Sequence, residues 1–283
     1  MTTAPAGSRL AKLLPPSLRN RLMWRRHRAR MSALRRDHPL RYLFLEVTRR
    51  CNLACVYCGS GCTGREQPAE LSSADFIEVA RQVASDFDAR RVMVAVTGGE
   101  PLLKDGVFDL LRELHRLGFP YGMVTNGQNM NPALARDLVA AGIGSISLSL
   151  DAPPEVNDRL RGRGAAARVA DAIRCLKEAG FEGKLEVITT VTTPALPLLD
   201  EMRRHVAAMR VPLWRVAPVM PIGRAAARPD LVPDASGARA ILEYVRAARS
   251  DGLLPSPEFS EEGFVGHRFE GMVRPYLCQC RAG

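Results

Sequence analysis

Between residues 42 and 218 the chain alternates short apolar runs of strand type with stretches whose apolar residues recur at helical spacing. This alternation limits the possible fold more than any other feature. The strand-type runs lie near 42–48, 91–96, 120–124, 144–149, 185–191 and 213–218, and the helical ones over 72–87, 105–117, 131–142, 165–180 and 197–209. Ser72 or Ser73 stands where a helix cap is needed, Pro132 near a helix start, and Gly142 and Gly180 just past helix ends. Six strands with five intervening helices predict a parallel sheet joined by right-handed crossovers, either open and doubly wound or curled into a barrel. In both arrangements ligands collect at the C-terminal ends of the strands. The chemically informative residues are therefore expected immediately after strands.

They are found there. "CNLACVYC" follows the first run, "TGGEP" the second, "TNG" the third, and "SLSLD" closes the fourth. Cys51, Cys55 and Cys58 have the spacing C-x3-C-x2-C, one thiolate short of the four protein ligands of a structural zinc site. A four-iron, four-sulfur cluster accepts three cysteines and keeps one iron open for a ligand. The competing reading is a zinc knuckle with Cys62 as fourth ligand, although the pair of separated C-x2-C knuckles usual for zinc is missing. Seven cysteines, an odd number concentrated in one cluster, argue against a disulfide framework. Gly98 and Gly99 allow a close backbone approach, and Glu100 offers an acceptor for a cationic amine. Thr125–Gly127 and Ser147–Asp151 supply hydroxyls, an amide and a carboxylate that suit ribose hydroxyls or, equally, the capping of the next helix. Each stretch alone is ordinary turn chemistry; their order on successive strands behind a three-cysteine loop is not.

In sequence and order, "CNLACVYC", "TGGEPLL", "TNG", "SLSLD" and "NDRLRG" resemble the radical S-adenosylmethionine superfamily across about residues 40–220. The resemblance implies an α/β fold, a partial (β/α)6 TIM-like barrel, with a [4Fe-4S] cluster and S-adenosylmethionine at the strand C-termini. It implies that Cys51, Cys55 and Cys58 ligate the cluster and that Tyr57 supplies an aromatic wall. Gly98, Gly99 and Glu100 would contact the cofactor's amino group. Thr125 and Ser149 match positions that touch its ribose or methionine moiety, and Arg161 matches an arginine that holds its carboxylate. The reaction implied is reductive cleavage of S-adenosylmethionine to methionine and a 5′-deoxyadenosyl radical, which takes hydrogen from an unreactive carbon. A flavodoxin- or ferredoxin-like electron donor is implied with it.

"PVMPIGRA", Pro218 to Ala225, and the closing "CQCRAG" resemble the approach to the C-terminal SPASM or twitch extension of peptide-modifying members. Only Cys278 and Cys280 are offered there, so the expectation is either a truncated extension or a protein working with the barrel cluster alone. The expected organisation is a basic, helical N-terminal leader over 1–38, a radical S-adenosylmethionine partial barrel over 39–220, and over 221–283 a linker, a helix and the start of an extension. The expected substrate is a ribosomally made peptide or protein side chain. The alternatives are a decarboxylase or dehydrogenase of a tetrapyrrole or small metabolite, or a non-catalytic iron–sulfur protein.

Charge bears on partners. Thirteen of the 40 Lys and Arg but only two of the 30 acids fall in residues 1–50, so the rest of the chain is nearly neutral. Such a leader suits an anionic membrane, an acidic partner or a solvated helix covering the core, and no groove-binding motif points to nucleic acid. No apolar run approaches the roughly 20 residues of a membrane span. The leader also lacks the order of a secretory signal, so a cytoplasmic protein is expected. Cys175, on a helical stretch, is expected to be a core thiol.

Overall fold

The computed structural model describes residues 16–62, 70–260, 265 and 268–274. Cys278, Cys280 and the first fifteen residues of the basic leader lie outside the described residues. The chain divides into two compact units, one of residues 40–260 and one combining residues 1–39 with 261–283. In the latter, helix α1 (Pro16–Asp37) carries no acid before Asp37, and Glu270 accepts from Arg274 at 2.6 Å and from the Val265 amide at 3.1 Å.

The larger unit is built on one sheet of seven parallel strands: β1 (Tyr42–Glu46), β2 (Met93–Thr97), β3 (Tyr121–Thr125), β4 (Ser145–Ser149), β5 (Lys184–Val191), β6 (Leu213–Pro218) and β7 (Ser256–Phe259). Each strand pairs with the next in sequence, and β1 and β7 are the two edges, so the sheet is not closed. Because the order never reverses, right-handed crossovers place the connecting helices on one face and leave the other open, as in a partial barrel. The helices are α2 (Ser73–Asp86), α3 (Val107–Arg116), α4 (Pro132–Ala140), α5 (Pro154–Arg161), α6 (Ala165–Glu178), α7 (Leu199–Ala208) and α8 (Ala235–Ala248). Ser72 caps α2 in a reciprocal box with Asp75, and Asn131 caps α4 ahead of Pro132.

Alternation along the strands separates the two faces. In β5, Leu185, Val187, Thr189 and Val191 are buried, whereas Glu186, Ile188 and Thr190 are half-buried on the opposite face. Register aligns Val96, Met123 and Ile146 on the covered side. Trp214 completes that core, fully buried with its indole N–H donating to Thr189 Oγ1 at 2.8 Å. The open side carries Tyr42 and Phe44 of β1, stacked on each other and more than half exposed. Cys175 is buried on α6. Among the described residues no helix is long and apolar enough to cross a membrane.

Two elements exceed the sequence expectation of six strands and five intervening helices. The seventh strand, β7, is a four-residue edge containing Pro257, and α5 forms from "PEVNDRLR". Strand β7 is tied down by Arg203 of α7, a buried residue. Its guanidinium donates to the carbonyls of Pro255 (3.0 Å), Ala248 (3.1 Å) and Leu253 (2.5 Å), and it pairs with Asp251. Arg203→Ala strands these carbonyls without a donor and is expected to cost about 2–4 kcal/mol. The check is the urea midpoint, which falls at unchanged slope.

Candidate active site

The cysteine loop leaves the C-terminal end of β1. Its turns are closed by the Cys58 amide on the Cys55 carbonyl (3.2 Å) and the Gly61 amide on the Cys58 carbonyl (3.4 Å), and the Val56 amide anchors it to the Leu160 carbonyl of α5 (2.9 Å). Cys51, Cys55, Cys58 and Cys62 are all free thiols, Cys55 and Cys62 buried and the other two half-buried. Burial raises the Cys51 and Cys55 thiols above their ordinary range, and the neighbouring thiols raise them further. Cys62 is pushed up to about 11, by burial first and then by Cys58 and Cys51. A bound cation would offset this cost of ionising buried thiols. Among the described residues, no three His, Cys, Asp or Glu side chains gather around one point to hold a single metal ion. A cavity of about 330 Å³ opens beside the loop, lined by Glu46, Thr48, Arg49, Ser60, Cys62 and Gly98.

The turn after β2 lies directly on the backbone of this loop. The Gly99 amide donates to the Thr48 carbonyl at 2.7 Å and the Glu100 amide to the Arg50 carbonyl at 2.8 Å. A Cβ on Gly98 would stand 2.4 Å from the Thr48 oxygen, and one on Gly99 would stand 2.2 Å from the Arg50 oxygen. Gly98 moreover has a φ of +137°, which only glycine adopts without strain. The two glycines are needed, on this geometry, for contact between two strand-end loops.

Glu100 differs from its expected part as an open acceptor. It is fully buried, and its carboxylate takes hydrogen bonds from the Leu102 amide (3.2 Å), the Thr125 hydroxyl (2.8 Å) and the Asn126 amide (2.8 Å). Burial raises its pKa against the pull of these three donors. Glu100 therefore ties the end of β2 to the end of β3. The Thr125 hydroxyl also accepts from the Gly127 amide at 3.1 Å, which holds the turn that aims Asn126. Asn126 Nδ2 reaches Cys51 Sγ at 3.7 Å and Asn52 Oδ1 at 2.8 Å. Asn126 is the amide that the sequence places in "TNG"; its partners, Cys51 and Asn52, lie 75 and 74 residues away and were not readable there.

Asp151, the carboxylate that closes "SLSLD", organises the far side. Its Oδ2 accepts from Arg161 Nη1 at 2.7 Å and from the Tyr57 hydroxyl, Arg161 Nη1 also reaches that hydroxyl at 3.0 Å, and Asp151 Oδ1 accepts from the Thr190 amide at 2.7 Å. The carboxylate partner of Arg161 in this structure is thus Asp151. Tyr57 is buried, packed with Cys55, Leu160, Val219, Ala225 and Leu231, so its ring is part of the interior wall behind Cys55. Burial, with Asp151 beside it, holds its phenol well above the ordinary range against the pull of Arg161. Ser149 is half-buried at the end of β4, opposite Ile188. The sequence-predicted residues therefore occupy the ends of β1 to β4 and the end of α5, with the thiols between a buried carboxylate network on one side and an ion-paired arginine on the other.

A family model described as the Radical SAM superfamily matches residues 45–209. Mycofactocin maturase MftC of Mycolicibacterium smegmatis is 32% identical over 229 residues, 79% of this chain and 55% of its own length. The AdoMet-dependent heme synthase of Oleidesulfovibrio alaskensis is 31% identical over 194 residues, 66% of this chain and 47% of its own. The chain thus spans about half the length of the curated relatives it matches. Among solved structures, Streptococcus suis SuiB bound to S-adenosylmethionine aligns with a TM-score of 0.65 at 19% identity, over 83% of this chain and 54% of that one. SuiB bound to the precursor peptide SuiA gives 0.65 at 18%, over 84% and 53%. These two likenesses are of fold.

Proposed function

This chain belongs to the radical S-adenosylmethionine superfamily, and on that premise we propose that it cleaves S-adenosylmethionine reductively and abstracts hydrogen from a side chain of a ribosomally made peptide. The observation that carries the reading is that the backbone leading into the loop of three free thiols is hydrogen-bonded to the Gly-Gly-Glu turn at the C-terminal ends of adjacent strands. A soft, three-thiol donor set fits iron–sulfur better than a hard cation. Cys51, Cys55 and Cys58 would hold a [4Fe-4S] cluster, which would supply the electron for reductive cleavage of S-adenosylmethionine.

The protein's part is orientation. Glu100 fixes the Thr125–Gly127 turn, and that turn presents the Asn126 amide to the Cys51 sulfur. A donor on a cluster-ligating sulfur stabilises the reduced state. Asp151 holds Arg161 and Tyr57 still behind Cys55, excluding water from that side. Gly98, Gly99, Thr125 and Ser149 border the strand ends at which S-adenosylmethionine binds in this proposal.

A peptide substrate is supported by the likeness to a maturase, by the fold shared with a protein known in complex with a precursor peptide, and by the exposed aromatic pair on the open face. A flavodoxin- or ferredoxin-like donor supplies the electron, and the basic leader docks to an anionic membrane or acidic partner, both in the cytoplasm. The likeness to a heme synthase favours a tetrapyrrole as the second reading.

Anaerobically reconstituted, dithionite-reduced protein is expected to form 5′-deoxyadenosine from S-adenosylmethionine, and a cellular peptide fraction is expected to raise the rate. Stimulation by a free tetrapyrrole and not by peptides would move the substrate to the second reading. No cleavage despite a reducible cluster would remove the enzymatic reading altogether.

A further inference from the structure

The stretch "PVMPIGRA" returns to the cysteine loop. After β6 ends at Pro218, a 3-10 turn (Gly223–Ala227) brings the chain against residues 55–62. Gly223 has a φ of +56°, and a Cβ there would stand 2.2 Å from the Gly59 oxygen and 2.5 Å from the Cys58 oxygen. The next residue then makes three hydrogen bonds to carbonyls of three different cysteines. The Arg224 amide donates to Cys58 (2.9 Å), its Nε to Cys55 (2.7 Å) and its Nη1 to Cys62 (2.8 Å). Val219, Ala225 and Leu231 pack in the same buried cluster as Cys55 and Tyr57. Among the described residues no carboxylate pairs with the Arg224 guanidinium, which brings a positive charge to the loop.

We propose that Arg224 is a positioning residue acting through the cysteine loop. Its rigid fork ties Cys55 to Cys62 and so fixes the span that carries Cys58. Its positive charge beside the loop favours the reduced, more negative state of whatever cluster the loop holds. The second half rests on the cluster reading above; the first half does not.

Two variants of the full chain separate the tether from the charge. Arg224→Gln loses both, whereas Arg224→Lys keeps the charge and loses the fork. Amide hydrogen exchange on the iron-free protein reads the tether, because the Val56, Cys58 and Gly61 amides are bonded within or to this loop. Exchange over residues 55–62 is expected to be about ten-fold faster or more in both variants, with β3 and β4 unchanged as the internal sign that the protein is folded. In reconstituted protein the cluster's midpoint potential is expected to fall in Arg224→Gln and to stay near wild type in Arg224→Lys. Wild-type exchange over 55–62 in a folded Arg224→Gln protein would overturn the tether. A loosened loop with an unchanged potential would overturn the charge. Failure of the wild type to bind iron would instead overturn the cluster reading and with it the charge half, while the exchange result would still decide the tether.

Discussion

Reconstituted without oxygen, the wild-type protein is expected to bind about four irons per chain with broad thiolate-to-iron charge-transfer absorption, and Cys51→Ala, Cys55→Ala or Cys58→Ala is each expected to reduce both to background. Each thiol is expected to be indispensable because the proposed cluster would take only three protein ligands. Cys62 provides the internal comparison. It lies next to the trio, and burial and its neighbours hold its thiol proton on to about pH 11, but its contact is a weak one to the Ser60 carbonyl at 3.9 Å. Cys62→Ala should therefore keep the four irons. If the site were a zinc knuckle, the same change would remove the fourth ligand, and the wild type would hold one zinc and no acid-labile sulfide. Cys175→Ala, in the core of α6, should alter stability alone. Iron and sulfide analysis of the five variants is the measurement, and stoichiometric zinc in anaerobically purified wild type would sink the idea.

The sequence was legible where a local rule decided the outcome. The strands of the alternating pattern are buried on one face, so their apolar residues repeat with a period that can be read without a fold. Strand β7 was not legible, because it has four residues, includes a proline without an amide hydrogen, and is bonded on one side only. Nor was α5, whose buried positions are Asn157 and Leu160 and whose other residues give no apolar stripe.

The same distinction holds in the site. That the cysteines, the Gly-Gly-Glu turn, "TNG" and "SLSLD" share one end of the sheet follows from strand direction alone. Which polar side chain meets which does not. Glu100 turns inward because the end of β3 presents it with a hydroxyl and an amide, and Arg161 meets Asp151 because α5 folds back over the end of β4. Arg224 is 169 residues beyond Cys55, a separation at which no local pattern operates.

Removing Asp151 tests the most buried of these partnerships. The Arg161 guanidinium is one-tenth exposed and the Asp151 carboxylate fully enclosed, so their attraction is weakly screened. Each had to give up its water to enter the protein, and the pair persists because Tyr57 and the Thr190 amide take up further lone pairs of the carboxylate. Asp151→Ala leaves Arg161 charged with no counter-charge among these neighbours and the Tyr57 hydroxyl without its acceptor, an expected loss of about 3–5 kcal/mol. Asp151→Asn keeps an acceptor of the same shape and removes only the charge, so it should lie between wild type and Ala. Arg161→Met combined with Asp151→Ala removes both charges and should recover part of the loss, since a buried pair replaced by apolar groups is often nearly neutral. That recovery separates a buried ion pair from a loop that merely needs the Asp151 backbone. The readouts are urea midpoints for the three proteins and the exchange rate of the Val56 amide, because Val56 is bonded to Leu160, next to Arg161, and adjoins Tyr57. Equal stability of Asp151→Ala and wild type would mean that the carboxylate does not hold Arg161 and Tyr57 behind Cys55, and the orienting role assigned to it would be lost.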